Sequence, residues 1–296
     1  MSMKDRTLGT AEREIERAAR PTFDAAGRPV RVLEDGVGRY IAERNGLSIN
    51  QIHHSALSLG VCPMRYLRNL ESITLPEQLR LCEKRAAVVG AGGLGGHIIT
   101  LLARLGVGTL IIIDPDSFDE TNLNRQALSG TRTLGLPKVQ AAAEAVADIN
   151  PGVKIISHQH ALTRGEAPIL LEGAHVILDG LDSISDRLDL QEAACDLKIP
   201  FIHGAVAGFE GQVMTVLPGD AGLKRIYGER TTSGEKKDAP EALLGTPAPA
   251  PTLIAALQVM EALKILLGRG EIRRDSLLHV DMEAFRMERF ALGGDS

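Results

Sequence analysis

RAAVVGAGGLGG, residues 85–96, is the stretch whose reading decides the fold. Arg85 to Val89 is a short apolar run with β-branched valines and predicts a buried strand. From Leu94 to Leu105 the apolar residues Leu94, Ile98, Leu101, Leu102 and Leu105 recur at helical spacing, so the glycines fall where a strand turns into a helix. Gly90, Gly92 and Gly95 fit the G-x-G-x-x-G spacing. The first permits a sharp turn, the second lets backbone N–H groups approach a phosphate, and the third lets helix and strand pack closely. Gly93 and Leu94 complete this turn. The open N–H groups and positive dipole end of such a helix favour an anion. A second apolar strand, Thr109 to Ile113, ends in Asp114, placed to hold a ribose hydroxyl. Together these predict an α/β fold with a Rossmann-like, mostly parallel sheet flanked by helices.

Composition removes several classes. The net charge of −5 argues against a protein that coats nucleic acid, and 3% aromatics with no Trp leaves little for base stacking. No uninterrupted apolar run reaches the roughly 20 residues that cross a bilayer, and MSMKDRTLGTAERE has no apolar signal core, so no membrane partner is expected. Cys62, Cys82 and Cys195 form no CxxC pair, which suits a reducing, cytoplasmic compartment. Cys195 reads as a buried helix residue.

Residues 1–64 read as a helical N-terminal extension, broken at Gly27 to Pro29, in which Ile41, Leu47, Ile49, Ile52, Leu57 and Leu59 suggest a small helical unit packed on the main domain. His53 and His54 lack acidic or thiol neighbours and read as ordinary histidines rather than metal ligands. Met64 to Lys84 leads by a helix into the first main strand; there Arg65 and Arg68 are, by themselves, solvated charges. In PDSFDETNLNRQ (115–126), Asp116 and Asp119 either help place a metal or cap a turn. Asn122, Asn124, Arg125 and Gln126 crowd just past a strand's carboxyl end, where open α/β sheets bind ligands. Lys138 opens the next helix, and a cation there opposes the dipole preference unless an anion is bound beside it. Thr163 to Glu172 reads as a further helix.

Further on, Asp179-Gly180-Leu181-Asp182-Ser183 puts two carboxylates at a strand end, with Ser183 or Ser185 able to cap the following helix. Asp182 either caps or holds Mg²⁺ beside phosphate oxygens. Glu210 to Leu217 and two strands near the carboxyl terminus, Ser276 to Asp281 and Phe285 to Leu292, form an antiparallel C-terminal extension. Residues 218–251, rich in Gly, Pro, Lys and Glu and carrying Arg230, Lys236 and Lys237, read as a binding loop or a disordered one.

In this order the pieces resemble the ThiF/MoeB/HesA adenylyltransferases of the ubiquitin-activating-enzyme-like superfamily. The resemblance spans about Arg65 to Leu292 and includes RYLRN (65–69), GAGGLGG (90–96), IIIDPDSFDETNLNRQ (111–126), GLPKVQAA (135–142), DGLDS (179–183), GFEGQV (208–213) and LQVMEALKILLG (257–268). It implies an adenylation domain over 65–296 with a crossover loop at 218–251. It also implies ATP and Mg²⁺ as reactants and a ubiquitin-like sulfur-carrier protein ending in Gly-Gly as partner, activated as an acyl adenylate with release of pyrophosphate. Carried over, Gly90, Gly92, Gly93, Leu94 and Gly95 form the phosphate turn and Asp114 binds the ribose. Asp116, Asn122, Asn124, Gln126, Leu181 and Ser183 belong to the nucleotide site, Arg125 and Lys138 bind the phosphates, and Asp182 serves Mg²⁺. Arg68 matches an arginine that reaches the triphosphate from the partner subunit, which implies a homodimer.

Three features depart from the family pattern. Many relatives carry two CxxC pairs for zinc; this chain has GLKR at 222–225 and no cysteine after Cys195, so no zinc is expected. The crossover loop has no cysteine for a thioester or persulfide. Ser183 replaces the usual asparagine. A tRNA-modifying dehydratase of the same superfamily, a nicotinamide oxidoreductase and a non-catalytic nucleotide-binding scaffold remain the competing readings.

Overall fold

The computed structural model describes residues 9–228 and 243–293; Arg230, Lys236 and Lys237 lie outside them. The N-terminal region contains the expected helices, α1 (Thr10–Ala18), α2 (Asp35–Asn45) and α3 (Ile49–Ser58). It also holds three strands that the sequence reading did not anticipate, β1 (Arg20–Phe23), β2 (Pro29–Leu33) and β3 (Val61–Pro63), paired in the order β1-β2-β3. The break at Gly27 to Pro29 belongs to the hairpin turn between β1 and β2. Three to five residues per strand is too short for a periodicity signal to stand out. This unit has a core of its own, including Ile15, Leu33, Ile41, Ile52 and Val61.

A 3₁₀ helix (Met64–Asn69) and α4 (Leu75–Glu83) lead into the main sheet. Thr74 and Glu77 cap α4 reciprocally, each side chain bonding the other's backbone N–H. The chain then alternates through β4 (Arg85–Val89), α5 (Gly93–Leu105), β5 (Thr109–Ile113), α6 (Lys138–Ile149) and β6 (Lys154–His158). It continues through α7 (Ala167–Leu170), β7 (Val176–Asp179), α8 (Ile184–Asp196) and β8 (Phe201–Ala207). β9 (Glu210–Val216), α9 (Lys224–Tyr227), α10 (Pro249–Leu267), β10 (Ser276–Asp281) and β11 (Arg286–Ala291) complete the described chain.

The eight strands order as β11-β10-β9-β8-β7-β4-β5-β6. β8, β7, β4, β5 and β6 run parallel and β9, β10 and β11 extend the sheet antiparallel. One face packs against α4, α5, α6 and α10 through residues such as Ile98, Leu102, Val146 and Ile254; the other packs against α7 and α8 through Leu171, Leu188 and Ala194. α10 is long and apolar enough to cross a bilayer by composition, yet it packs against α5 and β8 with 56% of its most apolar window buried. From β4 the chain moves first toward β5 and β6, then returns to β7 on the other side. The crevice at the carboxyl ends of β4 and β7 is therefore a topological switch point, where open α/β sheets bind ligands.

Two expectations change. Thr163 to Glu172 is helical only at Ala167–Leu170, because Pro168 suits a helix start, Leu171 caps the end, and the residues before it form a loop. Cys195 lies on α8 but is exposed beside Asp196, since that helix buries Leu188, Gln191 and Ala194 instead.

The two units meet through polar contacts. Arg65, expected to be a solvated charge, donates to Asp35 (3.1 Å) and to the carbonyl of Ile149 (2.7 Å). Asn150, fully buried, donates to the Tyr66 hydroxyl and to the Ala103 carbonyl, both at 2.8 Å. His53 is buried edge-on to Tyr66, and its Nδ1 has no hydrogen-bond partner among the described residues. Burial and the nearby Arg65 guanidinium push its imidazole down to about 4. The unfolded chain therefore binds a proton that the folded chain refuses between about pH 4 and 6.5, so stability is full above pH 6.5 and is lost as pH falls through that window. Urea unfolding should show a loss of up to about 3 kcal/mol from this residue, and His53→Gln should flatten that part of the profile. An unchanged profile in the variant would contradict the burial argument.

Candidate active site

At the switch point Gly90 takes φ 92°, and a Cβ there would run into the Gly180 carbonyl. A Cβ at Gly95 would overlap the Gly90 carbonyl oxygen. The backbones of the β4–α5 turn and the β7 end thus touch directly, joined by Gly180 N–H to Val89 O at 2.8 Å, while Gly90 N–H ties the turn to Ile113 O of β5, also at 2.8 Å. A cavity of about 500 Å³ opens beside this crossing. Gly90, Gly92, Gly93 and Leu94 line it on the turn side; Asp114, Asp116, Arg125, Gln126 and Lys138 line a second wall; Leu181 and Asp182 line a third.

Asp114 is 4% exposed and accepts from the N–H groups of Ala91 (2.6 Å) and Asp116 (2.8 Å). Burial raises its carboxyl above the ordinary range, against the lowering pull of the Ala91 hydrogen bond and of Lys138. Lys138 is tied twice to Asp116: its N–H donates to the Asp116 carbonyl and its Nζ meets the carboxylate, both at 2.9 Å. Lys138 is buried while Asp116 is exposed, so the cation is held on the cavity wall by a carboxylate that faces water. Arg125 is steadied by the Thr121 carbonyl (2.9 Å) and Asn124 Oδ1 (2.8 Å). Gln126 Oε1 is buried with no hydrogen-bond partner among the described residues, an acceptor beside Gly92 that a bound ligand would satisfy.

The remaining expected residues support the cavity from outside it. Gly95 lies behind the turn. Asn122 is buried and accepts from Asp119 N–H (3.1 Å), whose carboxylate caps Thr121 N–H (2.7 Å); Asp119 therefore caps a turn and Asp116 pairs with Lys138. Asn124 bridges Arg125 to the Thr246 carbonyl (3.4 Å). Ser183 caps α8 by accepting from Asp186 N–H (3.4 Å). Arg68 is exposed on the 3₁₀ helix and is not among the cavity's lining residues.

Other lining residues carried no motif that sequence reasoning recognised. His160 to Arg164, after β6, close one end of the cavity, and Thr246 and Pro251 close another. Asp179 and Arg187, both buried, form an ion pair at 3.5 Å under the Asp182 loop. Among the described residues no group of three or more His, Cys, Asp or Glu gathers to hold a metal. A divalent cation at Asp182 would therefore need phosphate oxygens as its other ligands.

The profile of the ThiF family matches residues 66–295. The chain is 32% identical over 219 residues to the SAMP-activating enzyme E1 of Haloferax volcanii, covering 73% of this chain and 80% of that one. It is 31% identical to the sulfur carrier protein ThiS adenylyltransferase of Escherichia coli (71% and 85% covered). To the molybdopterin-synthase adenylyltransferase of Salmonella typhimurium it is 35% identical (70% and 84%). Among solved structures, PaaA superposes over 93% of this chain and 99% of its own at a TM-score of 0.63 and 18% identity. E. coli MccB with AMPCPP and MccA superposes over 77% of this chain and 71% of its own at 0.65 and 20%.

The two glycines predict opposite phenotypes. Gly95→Ala should destabilise the fold by about 3 kcal/mol or more, because backbone on both sides must move. Gly92→Ala, whose Cβ meets only the Gln126 side chain at 3.6 Å, should stay within about 1 kcal/mol of wild type yet bind ATP about tenfold more weakly. Thermal unfolding and calorimetric titration check both.

Proposed function

The chain belongs to the ThiF family, and from that premise we propose that it is an ATP-dependent adenylyltransferase for a ubiquitin-like sulfur-carrier protein. In this reading residues 65–296 are the adenylation domain and 1–64 an extension. The observation that carries it is the gathering of Gly92, Asp114, Arg125, Gln126, Lys138 and Asp182 around one cavity at the switch point.

The carrier's C-terminal Gly-Gly carboxylate attacks the α-phosphorus of ATP. The new bond joins a carboxylate oxygen to phosphorus, and the bond from that phosphorus to the α–β bridging oxygen breaks. Pyrophosphate leaves, and the carrier is left as an acyl adenylate. The nucleophile is already ionised, so no base is required; the demand is for positive charge where phosphate charge develops. Gly90 to Gly95 and the start of α5 cradle phosphate, Asp114 takes the ribose hydroxyls, and Arg125 and Lys138 neutralise the phosphates. Bound Mg²⁺, held by Asp182 with phosphate oxygens, would supply the rest of that charge. Asp116, which now pairs with Lys138, keeps that cation in place before the triphosphate arrives. Arg68 completes the site from a second copy of the chain, making the active form a homodimer. The three free cysteines fit a cytoplasmic, reducing setting.

Carrier-dependent exchange of labelled pyrophosphate into ATP is the test. Asp182→Ala should lower it by about a hundredfold or more, and exchange that persists would remove the role assigned to that carboxylate. Mixing Arg68→Ala with Lys138→Ala subunits should restore roughly a quarter of wild-type activity, because half the dimers are mixed and each mixed dimer has one intact site. Absence of any restoration would contradict the shared site.

A further inference from the structure

Beneath the Asp182 loop lies a chain of hydrogen bonds that the proposed reaction does not yet use. Asp179 Oδ1 accepts from Leu181 N–H at 2.9 Å, and its Oδ2 meets His203 Nδ1 at 2.7 Å. The other ring nitrogen, His203 Nε2, lies 3.1 Å from the Tyr227 hydroxyl and 3.3 Å from Gln212 Nε2. Arg187, paired with Asp179 from the other side, donates to the Leu181 carbonyl at 2.7 Å. Leu181 is therefore gripped at both its N–H and its C=O, immediately before Asp182.

Asp179 and His203 are fully buried, and Tyr227 ends α9, at the edge of the crossover region. A carboxylate can only accept, so Nδ1 carries the proton and Nε2 faces the Gln212 amide as an acceptor. Arg187 balances the Asp179 charge. Tyr227 and Gln212 line a second cavity of about 250 Å³. That cavity shares Arg187 and Val206 with the nucleotide-side cavity. One line of contacts therefore runs from the wall of the second cavity to the backbone that aims Asp182. A buried polar chain of this kind favours a single geometry because breaking any of its links leaves a buried polar group without that partner.

We propose that Tyr227 and His203 are positioning residues that, through Asp179 and Leu181, fix Asp182 in the orientation adenylyl transfer needs. This rests on the adenylyltransferase reading for its rate effect, but not for its structural effect. Tyr227→Phe removes the hydroxyl with the ring retained. His203→Asn keeps an amide donor for Asp179 and cuts the link to Tyr227.

Tyr227→Phe should keep wild-type thermal stability within about two degrees, His203→Asn should melt several degrees lower because the lost ring leaves a small buried cavity, and both should keep full stoichiometry for a non-hydrolysable ATP analogue. In each, the Leu181 amide should exchange its hydrogen about tenfold faster, while amides of β4 stay unchanged. The Mg²⁺ concentration for half-maximal pyrophosphate exchange should rise about tenfold, kcat should fall about ten- to a hundredfold, and KM for carrier should hold. The double variant should be no worse than the more affected single one, as expected of links in one chain.

Unchanged Leu181 exchange in Tyr227→Phe overturns the proposal. Faster exchange with an unchanged Mg²⁺ requirement also overturns it, because the loop then moves without consequence for Asp182. A wild-type protein that shows no carrier-dependent exchange would sink the proposed reaction, while the amide measurement still decides whether the relay holds the loop.

Discussion

The fold depends on backbone meeting backbone where β4 turns into α5 and β7 ends. Gly90, Gly95 and Gly180 leave no side chain between them, and any Cβ at the first two would strike a carbonyl. That contact closes the sheet at its switch point while leaving the cavity open just beyond it. Close packing and an open cavity are therefore produced by the same missing atoms, and the apolar strands on either side hold the crossing rigid.

Charge is arranged around this point in pairs of unequal burial. Lys138 is buried and Asp116 exposed, so the carboxylate keeps the ammonium in place yet yields readily to a stronger anion. Asp179 and Arg187 are both buried and serve the loop between them, Asp179 accepting from the Leu181 N–H and pairing with His203 while Arg187 donates to the Leu181 carbonyl. The first pair is suited to rearrangement on binding, the second to permanence.

The long-period features were legible in the residues themselves. β4 and β5 emerge at the expected positions because a buried parallel strand is a continuous apolar run and a turn needs glycine, and the antiparallel β10 span emerges where it was expected as well. Eleven of the expected site residues line the cavity because they follow strand ends, which topology gathers together. Asn122, Asn124 and Ser183 look alike in sequence but brace the loop, since whether a polar side chain faces a cavity or a carbonyl depends on local turn geometry. His203, Gln212 and Tyr227 meet only because β8 pairs with β9 and α9 folds back over them, contacts that no motif spacing encodes. The N-terminal strands escaped notice for a related reason: β2 and β3 pair in parallel across two intervening helices.

The junction between the two units bears on where the protein can be cut. The family match begins at Tyr66, inside the 3₁₀ helix, yet Tyr66 and its neighbour Arg65 reach into the segment just ahead of β6, and Asn50 of α3 donates to the Gly152 carbonyl in that same segment at 2.7 Å. β6 carries this anchorage across the sheet to the loop of His160 to Arg164 that walls the cavity. A truncation at the boundary that homology suggests would strip the buttress from one end of that strand, so the extension behaves as a foundation of the catalytic unit rather than a detachable module.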